Sequence, residues 1–150
     1  MRVLTADPAS IDEAVELLRD GSVVAIPTDT VYGLAARLDE DAPIQRLFAA
    51  KGRPASLPVA VLCASSEDAR ALAASWPASA RTLASRYWPG PLTLVVDAAP
   101  SLVARLGSRR GVGVRVPNDA LCRELLVRTG PLAVSSANRH GAAPATTADG

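Results

Sequence analysis

The stretch SVVAIPTDTVYGL, residues 22–34, decides the class of fold that we predict for this chain. Its first part, SVVAIP (22–27), is a short β-branched apolar run that ends in proline, which is typical of a buried strand. Thr28, Asp29 and Thr30 follow as a polar loop, and VYGLAARL after them indicates the start of a helix. Open α/β sheets bind ligands where strands lead into such loops, so this stretch predicts both a fold class and a candidate site.

Outward from this stretch, apolar runs and helical patterns alternate along the chain. Upstream, Ser10 and Glu13 form a capping-box pattern that predicts a helix ending near Asp20 and Gly21. Downstream, we predict helices up to Lys51, over 66–74, over 78–87 and from a cap at Asn118 to about Arg128, and strands over 57–62, 92–96, 112–116 and 131–136. Strands separated by helices predict one α/β domain over residues 1–150, with an open sheet of parallel or mixed pairing flanked by helices.

The composition excludes several classes of protein. Of the 150 residues 49% are hydrophobic and 21% are charged, with a formal net charge of +1, which excludes a disordered chain and argues against an extended nucleic-acid surface. No apolar run approaches the roughly 20 residues of a membrane span, and the start has no signal-peptide pattern, so we expect a cytoplasmic protein without membrane contact. Cys63 and Cys122 lie in apolar stretches and are expected to be buried thiols rather than a bridge or a metal pair.

Two loops carry groups suited to binding small polar ligands or phosphates. In PTDTVYGL (27–34) two hydroxyls and a carboxylate can orient a ligand, and Gly33 permits close backbone approach; capping of a following helix is the competing interpretation. In KGRP (51–54) Lys51 and Arg53 provide an ammonium and a guanidinium that suit a triphosphate. A solvated helix end would prefer the same cations, but Lys51 is the one lysine among 16 basic residues, which favours a function.

Three further loops follow or precede predicted strands. The turn in WPGPLTLVV (88–96) is stiffened by two prolines, and by itself indicates only a turn. RVPN (115–118) places Arg115 after a strand, where it can approach phosphates. SSANRHG (135–141) places Ser135, Ser136 and Asn138 so that they can present hydroxyl and amide groups to a nucleotide, although ordinary turn chemistry also uses these residue types.

Several common sites are absent from the sequence. There is no GxxxxGK[ST] phosphate loop and no GxGxxG fingerprint, and no Cys/His cluster has the spacing of a zinc site. His140 is the one histidine and lies four residues from Ser136, which is poor geometry for a catalytic triad. A Ser-Lys amidase built from Lys51 and Ser136 has only the residue types in its favour. Any ATP site in this chain is therefore of a non-standard kind.

Taken in order and spacing, PTDTVYGL, KGRP, WPGPLTLVV, GVRVP and SSANRHG resemble the YrdC/TsaC family of threonylcarbamoyl-AMP synthases over about residues 8–147. The resemblance implies a twisted α/β sheet that encloses a deep, positively charged cavity. It also implies an enzyme that converts ATP, L-threonine and bicarbonate to threonylcarbamoyl-AMP and pyrophosphate, for the threonylcarbamoyladenosine modification of tRNA. Magnesium is expected to enter with ATP, without a protein-built metal site.

The same resemblance implies roles for individual residues. Thr28, Thr30 and Tyr32 are expected to contact threonine. Lys51 and Arg53 are expected to bind the phosphates and to act in catalysis. The nucleotide pocket is expected to be lined by Lys51 and Arg53 together with Arg115, Ser135, Ser136 and Asn138. Expected partners, besides the substrates, are a downstream threonylcarbamoyl-transferase complex and weakly bound tRNA.

Departures from the family pattern keep other interpretations open. A second lysine that relatives often carry after K-x-R is replaced here by the stretch SLPV (56–59), and the chain ends at Gly150, so we expect the usual C-terminal end of the family to be missing. An RNA-binding module of the same fold is the main rival, because Arg105, Arg109, Arg110 and Arg115 lie in one short region. A paralogue acting on another acceptor is the second rival.

Overall fold

Six strands and six helices, counted over the described part of the chain, form a mixed sheet with helices packed against both faces. The computed structural model describes residues 7–52, 59–108, 111–138 and 143–147. In chain order the elements are α1 (Pro8–Arg19), β1 (Val24–Ile26), β2 (Gly33–Arg37), α2 (Asp41–Lys51), β3 (Ala60–Leu62), α3 (Ser66–Leu72), α4 (Ala78–Tyr87), β4 (Leu94–Val96), α5 (Pro100–Arg105), β5 (Val112–Arg115), α6 (Ala120–Thr129) and β6 (Leu132–Ser136). The predicted α/β class is confirmed.

Strand pairing in the sheet is mostly antiparallel. The order is β1-β2-β6-β3-β5-β4, and among these strands only β3 and β5 pair in parallel. The predicted mixed pairing is therefore confirmed. The strand predicted within 22–27 is confirmed as β1. Its predicted burial is wrong, because β1 lies at one edge of the sheet and only its last residue, Ile26, is buried.

Two hydrophobic cores lie on opposite faces of the sheet. On one face, Val61 of β3 and Val114 of β5 belong to the same buried cluster as Leu47 of α2. On the other face, Leu62 of β3 belongs to a cluster with Leu125 of α6 and with residues of α1. Successive strand residues point to opposite faces, so a strand as short as β3 contributes to both cores. Each fully buried Leu or Val stabilises the fold by roughly 1.5–3 kcal/mol.

Both predicted helix caps are displaced along the chain. The capping box at Ser10 is wrong, because α1 begins earlier: the Asp7 side chain accepts a hydrogen bond from the Ser10 backbone N (2.8 Å), and proline occupies the first turn. Proline suits that position because its missing N–H has no helical partner there. For α6 the cap is Asp119 and not Asn118, with Asp119 Oδ1 accepting from Cys122 N at 2.8 Å. Asn and Asp cap equally well, so residue type alone does not set the register.

The segment after the first polar loop is a strand and not a helix. Residues 33–37 form β2, which pairs with β1 on one side and with β6 on the other. Ala35 and Ala36 are both fully buried on opposite faces, as the inner position of this strand requires. The alanines indicated a helix because their intrinsic preference is helical, and tertiary pairing overrides that preference.

Both cysteines are buried and free, as predicted. Burial, the largest cause, raises the pKa of the Cys63 thiol to about 12, and the nearby Asp68 carboxylate adds to the effect. Burial also raises the pKa of the Cys122 thiol to about 12, with a further contribution from Asp119. Neither thiol is therefore an activated nucleophile.

Helix α5 was not predicted from the sequence.

Candidate functional site

The sheet register sets the places from which the predicted loops start. Gly33 at the start of β2 lies opposite Ser136 at the end of β6. Arg115 at the end of β5 lies opposite Leu62, and Leu62 in turn lies opposite Leu132 at the start of β6. Ser136 and Arg115 therefore lie toward opposite ends of the sheet. In parallel sheets the ligand-binding loops lie together at the carboxyl ends of the strands. The pairing here is mostly antiparallel, so long side chains connect loops that start from different ends of the sheet.

Thr28 organises the first loop. Its Oγ1 donates a hydrogen bond to the Val31 carbonyl (2.6 Å) and accepts from the backbone N–H groups of Thr30 and Val31 (both 3.2 Å). The Thr28 and Thr30 hydroxyls lie 3.1 Å apart. The hydroxyl thus closes a tight turn by the same side-chain-to-backbone bonding that caps a helix, although a strand follows. The competing helix-cap interpretation is wrong for this reason.

Arg115 joins three of the predicted motifs. Its Nε donates to the Gly90 carbonyl (3.0 Å) in the WPGP turn, and its Nη1 donates to Thr30 Oγ1 (3.2 Å). Its Nη2 forms an ion pair with the Asp29 carboxylate, and the two side chains are only 12% and 13% exposed. A guanidinium can make these contacts at once because its donors form a planar fork.

Lys51 holds the loop that follows β6. Its side chain at the end of α2 is 3% exposed, and Nζ donates to the carbonyl oxygens of Ser136 and Asn138 and to Asn138 Oδ1 (3.1 Å). Ser136 Oγ also donates to Asn138 Oδ1 (2.5 Å). The ammonium thereby fixes the backbone and the side-chain amide of the S-x-N segment. The geometry of Ser136 gives no Ser-Lys pair, because its hydroxyl is bonded to Asn138 and Lys51 contacts its carbonyl.

The backbone of Tyr32 connects these two loops. Ala137 N donates to the Tyr32 carbonyl (2.7 Å), and Tyr32 N donates to the carbonyl of Ala145 (2.9 Å). Ala145 N donates in turn to the Ala137 carbonyl (3.3 Å). Residues 28–32, 136–138 and 143–147 are therefore held together by main-chain bonds, and Lys51 and Arg115 attach to the same unit.

The remaining predicted residues differ in what the structure says of them. Ser135 is buried within β6, opposite Leu34. Arg53 lies outside the described residues. Gly33 does permit a close approach, but the neighbour is the protein itself: a Cβ at this position would lie 2.5 Å from Val134 Cγ1. The glycine is thus required by strand packing.

Two residues of the network, Asp29 and Ala145, were not chosen from the sequence as site residues. Asp29 carried a signal, since it lies between two selected threonines. Ala145 carried none, because its contribution is a pair of backbone hydrogen bonds.

The arginines that favoured an RNA-binding surface are paired where the structure describes them. Arg105 Nε donates to Asp41 Oδ1 (2.5 Å), and its Nη1 donates to the Leu38 carbonyl (3.2 Å). Arg115 is bound to Asp29, as given above. Arg109 and Arg110 lie outside the described residues. Paired cations attract nucleic acid less than free ones, so the described part of this region gives the RNA-binding interpretation little support.

A pocket of about 210 Å³ opens at the far edge of the sheet, against β4 and α4. Its lining includes Ser75, Leu83 and Asp97, and it shares no residue with the network of loops. The deep basic cavity implied by the resemblance stays a prediction. Among the described residues, none of the helices has the length and apolar character that crossing a membrane requires.

Two of the known proteins to which this chain is similar in sequence share one name. A Mycobacterium leprae protein, named provisionally as a threonylcarbamoyl-AMP synthase, is 43% identical over 150 residues, which is 97% of this chain and 68% of the relative. The Pyrococcus abyssi threonylcarbamoyl-AMP synthase is 42% identical over 90% of this chain and 40% of its own length.

The crystal structure of P. abyssi Sua5 complexed with L-threonine superposes with a TM-score of 0.89 at 39% identity. That match covers 99% of this chain but only 44% of the Sua5 chain. This chain therefore spans less than half of the length of the solved relative.

The family model Sua5_yciO_yrdC, described as Telomere recombination, matches residues 16–150, which is most of the chain. With the identities above, this match shows that the chain belongs to the Sua5/YciO/YrdC family.

Proposed function

We propose that this chain is a threonylcarbamoyl-AMP synthase, a nucleotidyltransferase that joins L-threonine, bicarbonate and the adenylyl group of ATP. The observation that carries the proposal is the single hydrogen-bonded network that connects the loop at 28–32, Lys51, Arg115 and the loop at 136–138. The names of its relatives, and the L-threonine bound to one of them, support the same reaction.

The chemistry needs no covalent intermediate on the protein. The amine of threonine takes up CO₂ from bicarbonate and becomes a carbamate. A carbamate oxygen then attacks the α-phosphorus of ATP, the bond to the β-phosphate oxygen breaks, and pyrophosphate leaves. Mg²⁺ enters with ATP as part of the substrate. The thiol pKa values given above agree with a reaction that uses no cysteine nucleophile.

The chain's own contribution is positioning and charge. In this proposal Thr28, Thr30 and Tyr32 belong to the threonine side of the site. Lys51 and Arg53 supply positive charge for the phosphates. The Lys51 ammonium, which is 3% exposed, also keeps the loop at 136–138 in place through its bonds to Ser136 and Asn138. The nucleotide side is formed by Arg115, Ser135, Ser136 and Asn138. Held geometry of this kind can remove roughly 7–11 kcal/mol from the barrier of a reaction between separate molecules.

The proposed product is an activated intermediate that is unstable in water. A second enzyme must therefore use it as a substrate, and we propose that this enzyme is a threonylcarbamoyl-transferase complex that acts on tRNA in the cytoplasm. Arg105 and Arg115, the described arginines of the region that could attract tRNA, are both in ion pairs with the protein's own carboxylates.

Pyrophosphate release from Mg·ATP and bicarbonate, with and without L-threonine, tests the proposal. We expect release that requires both L-threonine and bicarbonate. Turnover with a different acceptor in place of threonine would instead identify a paralogue with another substrate. Salt-sensitive RNA binding without ATP turnover would overturn the enzyme assignment and favour the RNA-binding module.

A further inference from the structure

We propose that Asp29 is a positioning residue: through its ion pair with Arg115 it holds the loop at 28–31 in the form that binds L-threonine. This inference rests on the proposed function and deepens it. The sequence treated Asp29 only as one of three polar groups of its loop, and the inference gives it a task that differs between the two substrates.

The ion pair is built into the fold rather than formed on the surface. Asp29 and Arg115 are 86 residues apart in the chain, yet their side chains are 13% and 12% exposed and in direct contact. Breaking a buried pair from one side leaves an uncompensated charge, so the arrangement of Arg115 depends on Asp29. Arg115 also bonds to the Gly90 carbonyl and to Thr30, and both contacts depend on the orientation of its guanidinium.

A chain of contacts leads from Arg115 into the loop. Thr30 Oγ1 accepts from Arg115 Nη1 (3.2 Å), so the guanidinium sets where this oxygen lies. The Thr28 and Thr30 hydroxyls lie 3.1 Å apart, and either of them could be the donor. Thr28 Oγ1 also contacts the Val31 carbonyl (2.6 Å), which can only accept. The contacts thus connect Asp29, Arg115, Thr30, Thr28 and Val31.

These contacts decide where the loop holds its hydroxyl groups. Thr28 Oγ1 donates to the Val31 carbonyl and accepts from two backbone N–H groups, so this hydroxyl is used within the turn. The Thr30 oxygen is placed by Arg115 Nη1, and a hydroxyl in a fixed position can hydrogen-bond to a polar group of threonine. If Arg115 turned away, the Thr30 hydroxyl would lose this placement.

The two substrates respond differently to the loss of Asp29. Without the carboxylate, Arg115 loses its orientation but keeps its positive charge on the nucleotide side. Attraction for phosphates depends on that charge more than on the direction of the guanidinium, so it is largely retained. The threonine loop, in contrast, loses the group that orients it. The Asp29→Asn variant is nearly isosteric, and we expect it to raise the KM for L-threonine roughly tenfold or more while the KM for ATP changes by less than about threefold.

Asp39→Asn is the matched control. Asp39 also pairs with an arginine, Arg37 (2.5 Å), but its side chain is 65% exposed and lies outside the network. The variant makes the same change in net charge, and we expect wild-type kinetics. Asp29→Glu, which restores the carboxylate, is expected to recover threonine binding in part. Calorimetric titration with L-threonine alone measures binding without turnover. It is compared only between variants whose melting temperatures equal that of the wild type.

Two outcomes would overturn the inference. In the first, Asp29→Asn leaves the KM for threonine within twofold of wild type, or lowers it. In the second, the KM values for threonine and ATP rise equally with a fall in melting temperature, which is the result of a merely structural pair. If Asp29→Asn does not fold, Asp29→Glu takes its place, since it keeps the charge and changes only how the carboxylate reaches Arg115; the same selective rise in the KM for threonine is then expected. A wild-type chain that neither binds nor uses threonine would contradict the proposed function itself, whereas an active wild type with an unaffected Asp29→Asn would contradict only this inference.

Discussion

Replacing Lys51 with methionine is the sharpest perturbation of the site, because one buried ammonium holds the loop at 136–138. The substitution keeps a long side chain and removes the three hydrogen bonds that Lys51 makes to the described residues 136 and 138. At about 1.5–3 kcal/mol for each bond to a charged group, the gross loss is roughly 5–9 kcal/mol. Relief from burying an ammonium returns several kcal/mol of this. We therefore expect the free energy of unfolding to fall by about 2–4 kcal/mol.

In Lys51→Met the loop at 136–138 should stay close to its native position, but its exact conformation should change. The Ser136 carbonyl still accepts from Asn138 N (2.9 Å), and Asn138 Oδ1 still accepts from Ser136 Oγ (2.5 Å). A folded protein with a displaced nucleotide loop is the expected product. We expect kcat/KM for threonine-dependent pyrophosphate release to fall by about 100-fold or more, which corresponds to roughly 2.7 kcal/mol of transition-state stabilisation.

Arg46→Met is the matched control for this experiment. Arg46 lies on the same helix and also donates to a backbone carbonyl, but its partner is Gly21 (2.7 Å) and not a residue of the site loops at 28–32 and 136–138. Urea denaturation and steady-state kinetics of both variants separate stability from activity. A Lys51→Met protein with a wild-type kcat/KM, or a loss of activity no greater than that of Arg46→Met, would refute the reasoning. Lys51→Arg should also be impaired, because the planar guanidinium cannot reproduce the contacts of a compact ammonium in a site that is 3% exposed.

Two further predictions concern stability. Gly33→Ala should lower the free energy of unfolding by about 1–3 kcal/mol, since its Cβ would lie 2.5 Å from Val134 Cγ1 in a packed core, and a melting temperature equal to that of the wild type would contradict this explanation. Because burial raises the pKa of the Cys63 and Cys122 thiols to about 12, from an ordinary value near 9, the stability that the neutral thiols contribute is complete below about pH 9 and is lost as the pH rises toward 12. Urea denaturation at pH 8 and pH 10 should show this loss of unfolding free energy, at up to about 1.4 kcal/mol per pH unit for each thiol. The loss should be smaller in the variant with both cysteines replaced by alanine. Fast reaction of the native protein with a thiol reagent at pH 8 would argue against burial of the thiols.

Much of the fold was predictable because its signals are local. The helix over 78–87 has the predicted bounds, and α2 ends at Lys51 as its apolar spacing indicated. A strand lies within each predicted apolar run. Where the whole run is described, as for 92–96 with β4 at Leu94–Val96, the strand is shorter than the run. Apolar periodicity reports which side of an element faces a core, and it does so without knowledge of the partner.

Other features depended on partners that the local pattern does not contain. Residues 33–37 became a strand because β1 and β6 flank them, and their alanines gave the opposite indication. The antiparallel pairing placed Arg115 and Ser136 toward opposite ends of the sheet, which a sequence of alternating strands and helices does not reveal.

For the candidate site, the residue types already indicate which loops carry the chemistry, because Thr-Asp-Thr, the single lysine and Ser-x-Asn limit what those loops can bind. Which side chain contacts which loop becomes known only from the packed fold. Lys51 meets the carbonyls of a loop 85 and 87 residues away, and Asp29 meets Arg115 across 86 residues. Such contacts form only when the sheet brings distant segments together and excludes water from between them, so their strength is a property of the packed fold and not of any stretch of sequence.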